Sequence, residues 1–436
     1  MSIEPRKRLL SLLLVGAGLA AQEPLTVARA IRQAWTDQAG LRAGRSLAEG
    51  KRQEAAGYDA LRLPTLTLQA QGVRTDEPMM AFGMKLNQSR IAATDFNPAS
   101  LNRPDAITGL GGAAVVQQPL YAGGRIEAAR RAGAFAAQAE AASQVRREQE
   151  TALAVVQTYF GAQVAEQALA WVEDTRAWVA ELETFVGARV QQGLMLEAEL
   201  QRVKAARAQV EAQKAEVVRQ ARAARSGLGL LLGGAPVEGP LATPLASPAA
   251  VSAAAGLRPD LQAADLQAKA AGQAARAASG ALKPEVGLEL GLGTLRQSWS
   301  QGGNWTWAAV GVKWKVFSAP DRAKSNAAAA QARAAEDLRV FKTQQAEHEV
   351  RTAKDALIAA DARYQAAQAA LAAAEEAKRL RAARHKEGLT PLTDLLDAEA
   401  ALQGARTLLL QSLYDLRTSR AALDLATGAP IEGVTP

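Results

Sequence analysis

The sequence predicts a mixed α/β chain in which long helical hairpins carry a small number of β-strands. Three observations lead to this fold class: alanine-rich helical stretches with heptad spacing, short strands of alternating polarity, and a second half that repeats the plan of the first. Hydrophobic residues make up 48% of the 436 residues but aromatic residues only 4%, because alanine supplies much of the apolar content. Alanine favours helices and lets them approach closely, so these helices bury thin surfaces rather than a thick core.

Two neighbouring heptad stripes run along the long helix of the first half. Seven-residue spacing recurs in one stripe of Trp171, Trp178 and Phe185 and in a second stripe of Val172, Val179 and Val186. In the second half the same spacing joins Leu357, Tyr364 and Leu371. Heptads of this kind indicate a coiled-coil seam, and two adjacent stripes let one helix pack against a neighbour on either side.

Four segments alternate apolar residues with polar residues or glycine, a pattern typical of transmembrane β-strands. They are "LPTLTLQAQG", "ITGLGGAAVVQQPL", "PEVGLELGLGTL" and "AAVGVKWKVF", of which the second alternates weakly. In the last segment, the apolar positions are Val310, Val312, Trp314 and Val316. Four strands cannot close a barrel, and open sheet edges are not tolerated in lipid. Several chains must therefore pool their strands.

The two halves repeat one plan of helix, strand, loop, strand, long helix, turn and long helix. The segment "RVQQGLMLEAELQRVKA" (189–205) matches "RHKEGLTPLTDLLDAEA" (384–400) without a gap, and "LGLLLGGAP" (228–236) matches "LDLATGAP" (423–430) at a helix end. We predict a first repeat over 21–235, a Pro/Gly-rich linker over 236–250, a second repeat over 251–430 and a tail over 431–436.

The N-terminus has the layout of a cleaved signal peptide. A basic region of Arg6, Lys7 and Arg8 precedes an apolar run from Leu9 to Leu19, and a small-residue cleavage site ends at Ala20, with Ala21 as the alternative. The run is too short to cross a bilayer, and no other run reaches the ~18 residues that a transmembrane helix needs. We therefore predict a signal peptide over 1–20 and an exported chain that meets a membrane through its strands.

Composition and motifs argue against several function classes. The chain has no cysteine, which excludes disulfides and thiolate metal sites. Its net charge of +7 is spread over interleaved basic and acidic residues, which is typical of solvated helix faces and not of a nucleic-acid-binding patch. His348 and His385 belong to no ligand cluster, and there is neither a nucleophile elbow nor a phosphate loop. We expect no enzymatic activity, no cofactor, no metal site and no nucleic-acid partner.

These residues resemble the TolC-type outer-membrane efflux family. The resemblance rests on the strand-to-helix junction "QPLYAGGR" (118–125), on the two gapless turn segments and on "LTDLLDA" (392–398), and it covers about Glu23 to Pro430. It implies a homotrimer with a twelve-stranded outer-membrane barrel, four strands from each chain, and a twelve-helix tunnel in the periplasm. It also implies a passive channel of a tripartite efflux or type I secretion system. Such a channel docks on a periplasmic adaptor and, through it, on an inner-membrane pump of the RND, ABC or MFS type.

The resemblance places both helical turns at the periplasmic mouth and gives roles to residues around them. Asp394 and Asp397 match acidic residues that line the closed mouth, and Glu199 stands where the family often has an aspartate that holds the gate shut. His385 and Thr390 occupy the positions of a phenol and an arginine in the best-studied gate, so the closing bonds must differ here. We expect His385 to be exposed. The expected adaptor-docking tips are Arg189, Gly193, Leu194, Arg384, Gly388 and Leu389.

The orientation implied by the resemblance also assigns the segment 76–108. This segment joins the first two strands, contains Pro78, Pro98 and Pro104, and has no strand alternation. We predict a long outer loop that faces the outside of the cell, with Ala93 accessible there. Its counterpart in the second half, 296–305, is predicted to be a short turn.

Three other interpretations stay open at this stage. A periplasmic adaptor, or membrane-fusion protein, also carries long hairpins, although usually a single hairpin flanked by β-rich domains. An enzyme would need a site that the motifs above do not provide. A purely structural coiled coil would leave the alternating strands unexplained.

Overall fold

The computed structural model describes residues 24–248, 256–298 and 301–435, so the predicted signal peptide over 1–20 lies outside the described residues. The described helices are α1 (Val27–Asp37), α2 (Ala39–Ala60), α3 (Pro78–Asn87), α4 (Pro98–Asn102), α5 (Arg125–Gln191), α6 (Glu197–Leu231), α7 (Pro259–Gly280), α8 (Ala319–Lys386) and α9 (Leu392–Thr427). The strands are β1 (Thr65–Thr75), β2 (Ile107–Ala122), β3 (Glu285–Ser298) and β4 (Gln301–Lys313). None of these helices is at once long and apolar enough to span a bilayer.

The chain divides into two compact units, each built from segments of both halves. One unit, here called the hairpin unit, contains the described residues 24–34, 154–248 and 364–417. The other, the sheet unit, contains the described residues among 35–153, 256–363 and 418–435. The predicted repeat and linker boundaries follow the sequence and not this division, and they stay predictions.

The sheet unit holds one antiparallel sheet in the order β1-β2-β3-β4. The register aligns the apolar positions of all four strands on one face, which we call the apolar face. Its members include Leu66, Leu68, Val116, Leu290, Leu292, Val310 and Val312. The leucines and the two β4 valines are exposed in the protomer, as the alternating sequence predicts for a face that meets no other part of its own chain.

The opposite face of the sheet, which we call the polar face, carries hydrogen-bonded side chains. Glu289 accepts hydrogen bonds from Trp307 Nε1 at 3.0 Å and from Gln117 Nε2 at 3.2 Å. Gly291 and Gly293 provide the space for the indole rings of Trp307 and Trp305 on the neighbouring strand. The glycines on this face of β3 therefore mark positions where a large side chain of the neighbouring strand lies.

The bounds of β4 differ from the prediction. The sequence suggested a strand at 308–317 after a short turn at 296–305, whereas β4 begins at Gln301 and pairs with β3 only as far as Lys313. Trp314 and Val316 lie beyond the strand although they continue its alternation. Trp314 Nε1 instead donates to the carbonyl of Leu282 at 3.2 Å, and Lys315 pairs with Asp321 at 3.0 Å. These contacts with residues at the end of α7 and the start of α8 replace the backbone hydrogen bonds that would have continued the pairing of β4 with β3.

The segment 76–108, predicted as a long loop, is folded. It contains α3, a 3-10 turn at Ala93–Phe96 and α4. Asp95 holds the turn together, because its carboxylate pairs with Lys85 Nζ at 2.8 Å and accepts from the Ala92 amide at 2.9 Å. Asn97 caps α4 by accepting from the Ala99 amide, and Pro98 follows at the first helical position. Asn-Pro is a helix-start signal, because asparagine caps the helix and proline suits its first position.

The two heptad stripes of α5 differ in burial within the hairpin unit. The valine stripe of α5 is buried in one cluster with a second valine stripe on α6 at the same spacing, Val203, Val210 and Val217. The aromatic stripe is partly exposed, and cations lie over its rings. Arg406 is 5.3 Å from the Trp171 centroid, Lys378 4.6 Å from Trp178 and Arg189 5.3 Å from Phe185. In α8, Leu357, Tyr364 and Leu371 are half-buried beside the fully buried Ala360 and Ala367.

The junction "QPLYAGGR" ends β2 and begins α5. Gly123 and Gly124 have φ of 61° and 79°, a region that favours glycine. A Cβ on Gly123 would also lie 2.5 Å from the Gly280 carbonyl oxygen. Both the backbone conformation and the close approach therefore require glycine at position 123.

Candidate gate and hairpin turns

Two turns with the same hydrogen bonds join the long helices of the hairpin unit. After α5, the amide of Leu194 donates to the Arg189 carbonyl at 2.8 Å and that of Gly193 to the Val190 carbonyl at 3.0 Å. After α8, the amide of Leu389 donates to Arg384 at 2.9 Å and that of Gly388 to His385 at 3.0 Å. This is the Schellman pattern, in which a residue with positive φ follows the helix. Gly193 (φ 70°) and Gly388 (φ 75°) supply it.

The predicted docking residues lie at these turns. Leu194 and Leu389 are both largely exposed, and so are Gly193, Arg384 and Gly388. Arg189 is half-buried because its guanidinium stacks on Phe185. Each turn thus presents a leucine next to a glycine, flanked by a basic residue. Pro391 immediately precedes α9, which begins at Leu392.

His385 is buried, which corrects the expectation that it is exposed. Its relative exposure is 8%, and its Nδ1 lies 2.9 Å from the Thr390 carbonyl oxygen. A carbonyl oxygen can only accept, so Nδ1 carries the proton, and Nε2 is buried with no hydrogen-bond partner among the described residues. The Thr390 hydroxyl is likewise buried without a partner there. His385 and Thr390 thus come together inside the turn.

Asp394 and Asp397 lie on the side of α9 that faces away from the protomer core. Leu392 and Leu395 are buried in the valine cluster, whereas Asp394 is half-buried and Asp397 is exposed. At 100° per residue, the two aspartates project roughly opposite to those leucines. Neither carboxylate has a hydrogen-bond or ion-pair partner among the described residues, and the Asp394 carbonyl accepts from Arg381 at 3.1 Å. Both carboxylates therefore lie on the side of α9 opposite its buried leucines.

Glu199 lies in the first turn of α6, after the first hairpin turn. One of its carboxylate oxygens is 3.6 Å from Arg202 Nη1, and the other is buried without a hydrogen-bond partner among the described residues. An acid in the first turn of a helix is stabilised by the helix dipole. The structure does not bring Glu199 into contact with His385 or Thr390 through any described hydrogen bond.

A buried polar cluster in the hairpin unit was not predicted. Glu399 is 5% exposed, forms an ion pair with Lys378 of α8, and accepts from Thr175 Oγ1 of α5 at 3.2 Å and from Gln403 Nε2 at 2.7 Å. Lys378 also lies over the ring of Trp178. The cluster links three helices. A signal was present in the sequence, because Glu399 follows Leu392 by seven and Leu395 by four and so falls on the apolar stripe of α9.

Known proteins resemble this chain both in sequence over part of its length and in fold. Residues 250–429 match the family described as outer membrane efflux protein. No curated protein sequence matches the chain. A membrane protein from Pseudomonas aeruginosa is similar in structure with a TM-score of 0.80 at 21% identity, covering 92% of each chain. The outer membrane protein VceC from Vibrio cholerae gives a TM-score of 0.79 at 19% identity, covering 92% of this chain and 96% of that one.

A third solved structure has the same fold. The MtrE outer membrane channel of Neisseria gonorrhoeae has a TM-score of 0.78 at 22% identity, covering 94% of this chain and 90% of that one. The names of the matched family and of these solved structures describe outer membrane efflux proteins and outer membrane channels. Nothing in these comparisons supports the adaptor interpretation. Residues 250–429 thus match the outer membrane efflux protein family, and the described residues share the fold of these solved outer membrane proteins.

Proposed function

We propose that three copies of this chain pool their sheets into a twelve-stranded barrel that carries exported cargo across the outer membrane. The proposal rests on two properties of the β-sheet in the sheet unit, its exposed apolar face and its two edges, which pair with no other described strand. Its apolar face is exposed along all four strands, and β1 and β4 lie at its two edges. An apolar face suits lipid, and lipid requires that both edges find a partner strand. Pairing β4 of one protomer with β1 of the next satisfies both demands.

The polar face then lines the lumen. Thr67, Gln69, Glu289 and the hydrogen-bonded Trp307 lie on it, which matches the polar interior of channel-forming barrels. The helices that follow the strands continue into the periplasm. The channel is passive, and the pump and its adaptor supply energy and choice of cargo.

The two hairpin turns are the surfaces we assign to a periplasmic adaptor, which in turn connects to an inner-membrane pump. Arg189, Gly193, Leu194, Arg384, Gly388 and Leu389 form them. An exposed leucine beside a glycine is a small apolar projection that a partner groove buries better than water does. The neighbouring arginines add electrostatic attraction to an acidic rim on the partner.

We assign the gate to the start of α9 and to the polar groups near it. In a trimer, Asp394 and Asp397 become two stacked rings of three carboxylates around the axis, and such rings attract cations. Glu199 lies on the neighbouring helix of the same unit. His385 and Thr390 act differently from the predicted gate contacts, because they bond to each other inside the turn and fix its shape.

Native mass spectrometry of the detergent-extracted protein tests the proposal. We expect a trimer that survives mild detergent, and a gel band that migrates slowly before boiling and is replaced by a faster monomer band after it. A stable, folded monomer in the membrane extract would contradict the pooled barrel. It would leave the exposed apolar face of the sheet without an explanation.

A further inference from the structure

Helix α3 lies on the polar face of the sheet, at the strand ends furthest from the long helices. Ala81 and Met84 of α3 pack in one cluster with Ile107 at the start of β2 and Leu295 near the end of β3, and Val73 of β1 borders it. The other ends of the four strands connect to α2, α5, α7 and α8. In the barrel of the proposed function, α3 is therefore inside the lumen at the outer end.

Specific hydrogen bonds and close packing fix this helix on the sheet. Gln88, which is 1% exposed, donates from Nε2 to the Thr108 carbonyl at 3.0 Å and accepts from Arg90 at 3.0 Å. Two glycines on the polar face make room. A Cβ on Gly109 would lie 2.5 Å from Met84 Cε, and a Cβ on Gly303 would lie 2.3 Å from the Asn87 carbonyl oxygen. Three strands thus position α3: side chains pack against it, Gln88 hydrogen-bonds to the Thr108 carbonyl, and the glycines leave space for the helix.

The side of α3 that faces away from the sheet is apolar. Met79 is 83% exposed and Leu86 is 51% exposed. They are seven residues apart, so they lie on one stripe, and at 100° per residue this stripe is opposite Ala81 and Met84. A helix inside a water-filled lumen would normally expose polar residues on this side. The apolar stripe is explained if it meets the same stripe of two other copies.

The dimensions decide how much of the lumen three such helices fill. Twelve strands spaced ~4.8 Å apart and tilted by ~40° enclose a barrel about 24 Å across between backbones. Three parallel rods, each about 10 Å wide like a helix with its side chains, span about 22 Å when they touch. Three copies of α3 therefore leave no wide passage between them.

We propose that three α3 helices close the outer end of the channel, with Met79 and Leu86 meeting at the axis as an apolar plug. This inference rests on the trimeric barrel of the proposed function and adds a second barrier, separate from the periplasmic gate. An apolar constriction opposes water and ions by dewetting, whereas an apolar or bulky cargo pushed from the pump side displaces it. The plug keeps the outer mouth shut to small polar solutes between transport events.

Cysteine labelling on intact cells tests the plug, since the chain has no cysteine of its own. Thr67→Cys places a thiol on the polar face below α3, and Ala93→Cys places one on the exposed 3-10 turn. With a charged, membrane-impermeant maleimide, we expect rapid labelling at position 93 and slow labelling at 67. Adding Met79→Ser and Leu86→Ser should speed labelling at 67 by about tenfold, because water then wets the constriction. Both replaced side chains are exposed in the protomer, so folding is retained.

A second pair of variants displaces α3 without touching the plug residues. Gly303→Val puts a side chain against the Asn87 carbonyl, whereas Gly311→Val, on the same strand and face, meets nothing within 4 Å. We expect Gly303→Val to speed labelling at 67 and Gly311→Val to leave it slow. Equal rates at 67 in all backgrounds, with position 93 labelled, would overturn the plug alone. No labelling at 93 would overturn the proposed membrane topology, and the plug with it.

Discussion

At the scale of single residues, Glu399 is a buried acid that connects three helices of the hairpin unit. An ionised carboxylate this deeply buried is tolerated because Lys378, Thr175 and Gln403 surround it. Removing one member of a buried ion pair leaves the other charge uncompensated. We expect Lys378→Met to destabilise the hairpin unit by about 3–5 kcal/mol, and Glu399→Leu by a comparable amount.

The double variant Lys378→Met with Glu399→Leu should recover most of that loss, because neither charge is left alone. Denaturant unfolding followed by helical circular dichroism gives the four free energies of unfolding for the cycle. Losses that simply add in the double variant would show that Lys378 and Glu399 do not interact. Exposed Arg379 and Glu376, paired on the same helix as Lys378, provide a control pair with a coupling near zero.

Two aspartates of the sheet unit predict opposite responses to pH. Burial raises the pKa of Asp260, but the Arg258 hydrogen bonds and the charges of Arg146 and Arg258 outweigh it, so the net pKa is lowered. Burial raises the pKa of Asp424, and Arg420 only partly offsets it. Asp260 therefore contributes stability above its unfolded pKa, which is lost as pH falls through the folded pKa. Asp424 contributes stability at acid pH, which is lost as pH rises through its raised pKa.

Asp260→Asn should accordingly lower the thermal midpoint at neutral pH and have a smaller effect near about pH 4, where the unfolded carboxyl is half protonated. Asp424→Asn should raise the midpoint at neutral pH and lose that gain in acid. Melting curves of both variants across this range give the slopes. Slopes of the same sign would contradict the assignment.

Asp394 and Asp397 set the charge of the proposed mouth. Replacing both with Asn removes six carboxylates from a trimer and changes helix propensity little. We expect the double variant to lose cation preference in planar bilayers and to resist block by trivalent cations, while trimers still form. Glu216→Gln, an exposed acid that pairs with Arg219 on its own helix, is the control and should leave selectivity unchanged. Unchanged selectivity in the double variant would make both aspartates ordinary surface acids.

These residues differ in how far the sequence predicts them, for a physical reason. The aspartates and the glycine turns follow from local spacing, because helix periodicity and positive φ are properties of a few consecutive residues. The burial of His385 depends on how the turn folds back to place the Thr390 carbonyl against the ring, which no spacing reveals. The Glu399 cluster joins α5, α8 and α9, so only its position on an apolar stripe was visible beforehand.

At the scale of elements, the long helices and their turns were predictable and the strand ends were not. Heptads and the gapless repeat persist over dozens of residues, so each position is supported by many others. The end of β4 depends on contacts of Trp314 and Lys315 with neighbouring helix ends, which override a continuing alternation. The helices within 76–108 are short and form against the sheet, so periodicity gave no sign of them.

The second hairpin turn is the element whose geometry we expect to matter most for export. Gly388 has φ of 75° and open space around it, so a larger residue there meets strain but no clash. Gly388→Leu should distort the turn and abolish pump-dependent export while trimers still assemble. Gly388→Asn is the matched control, because asparagine tolerates this conformation, and it should retain most export. Full export by the leucine variant would place the adaptor contact elsewhere.

At the scale of the whole molecule, α8 leaves apolar side chains uncovered in the protomer. Phe341 and Ile358 are largely exposed on a helix otherwise rich in alanine. In a trimer, neighbouring protomers would bury them and stabilise the assembly by the apolar area removed from water. We expect Ile358→Asp to reduce the trimer fraction in native mass spectrometry, since a charge would then be desolvated without a partner. Ile358→Leu keeps the apolar surface and should assemble normally; assembly by both variants would leave this face outside the interface.

The two hairpin turns share one backbone pattern but not one set of side chains. Gly193 is followed by Leu-Met-Leu, and Gly388 by Leu-Thr-Pro. A threefold assembly therefore presents six loops of nearly equal shape and two alternating chemistries, a pseudo-sixfold ring. A partner made of identical hairpins would meet six binding sites, three at each type of turn, and would bind the two types with different affinities. Titrating the trimer with this partner should reveal two classes of binding site, with three sites in each class. The repeated backbone of the turns fixes the number of sites, and their different side chains fix the order in which they fill.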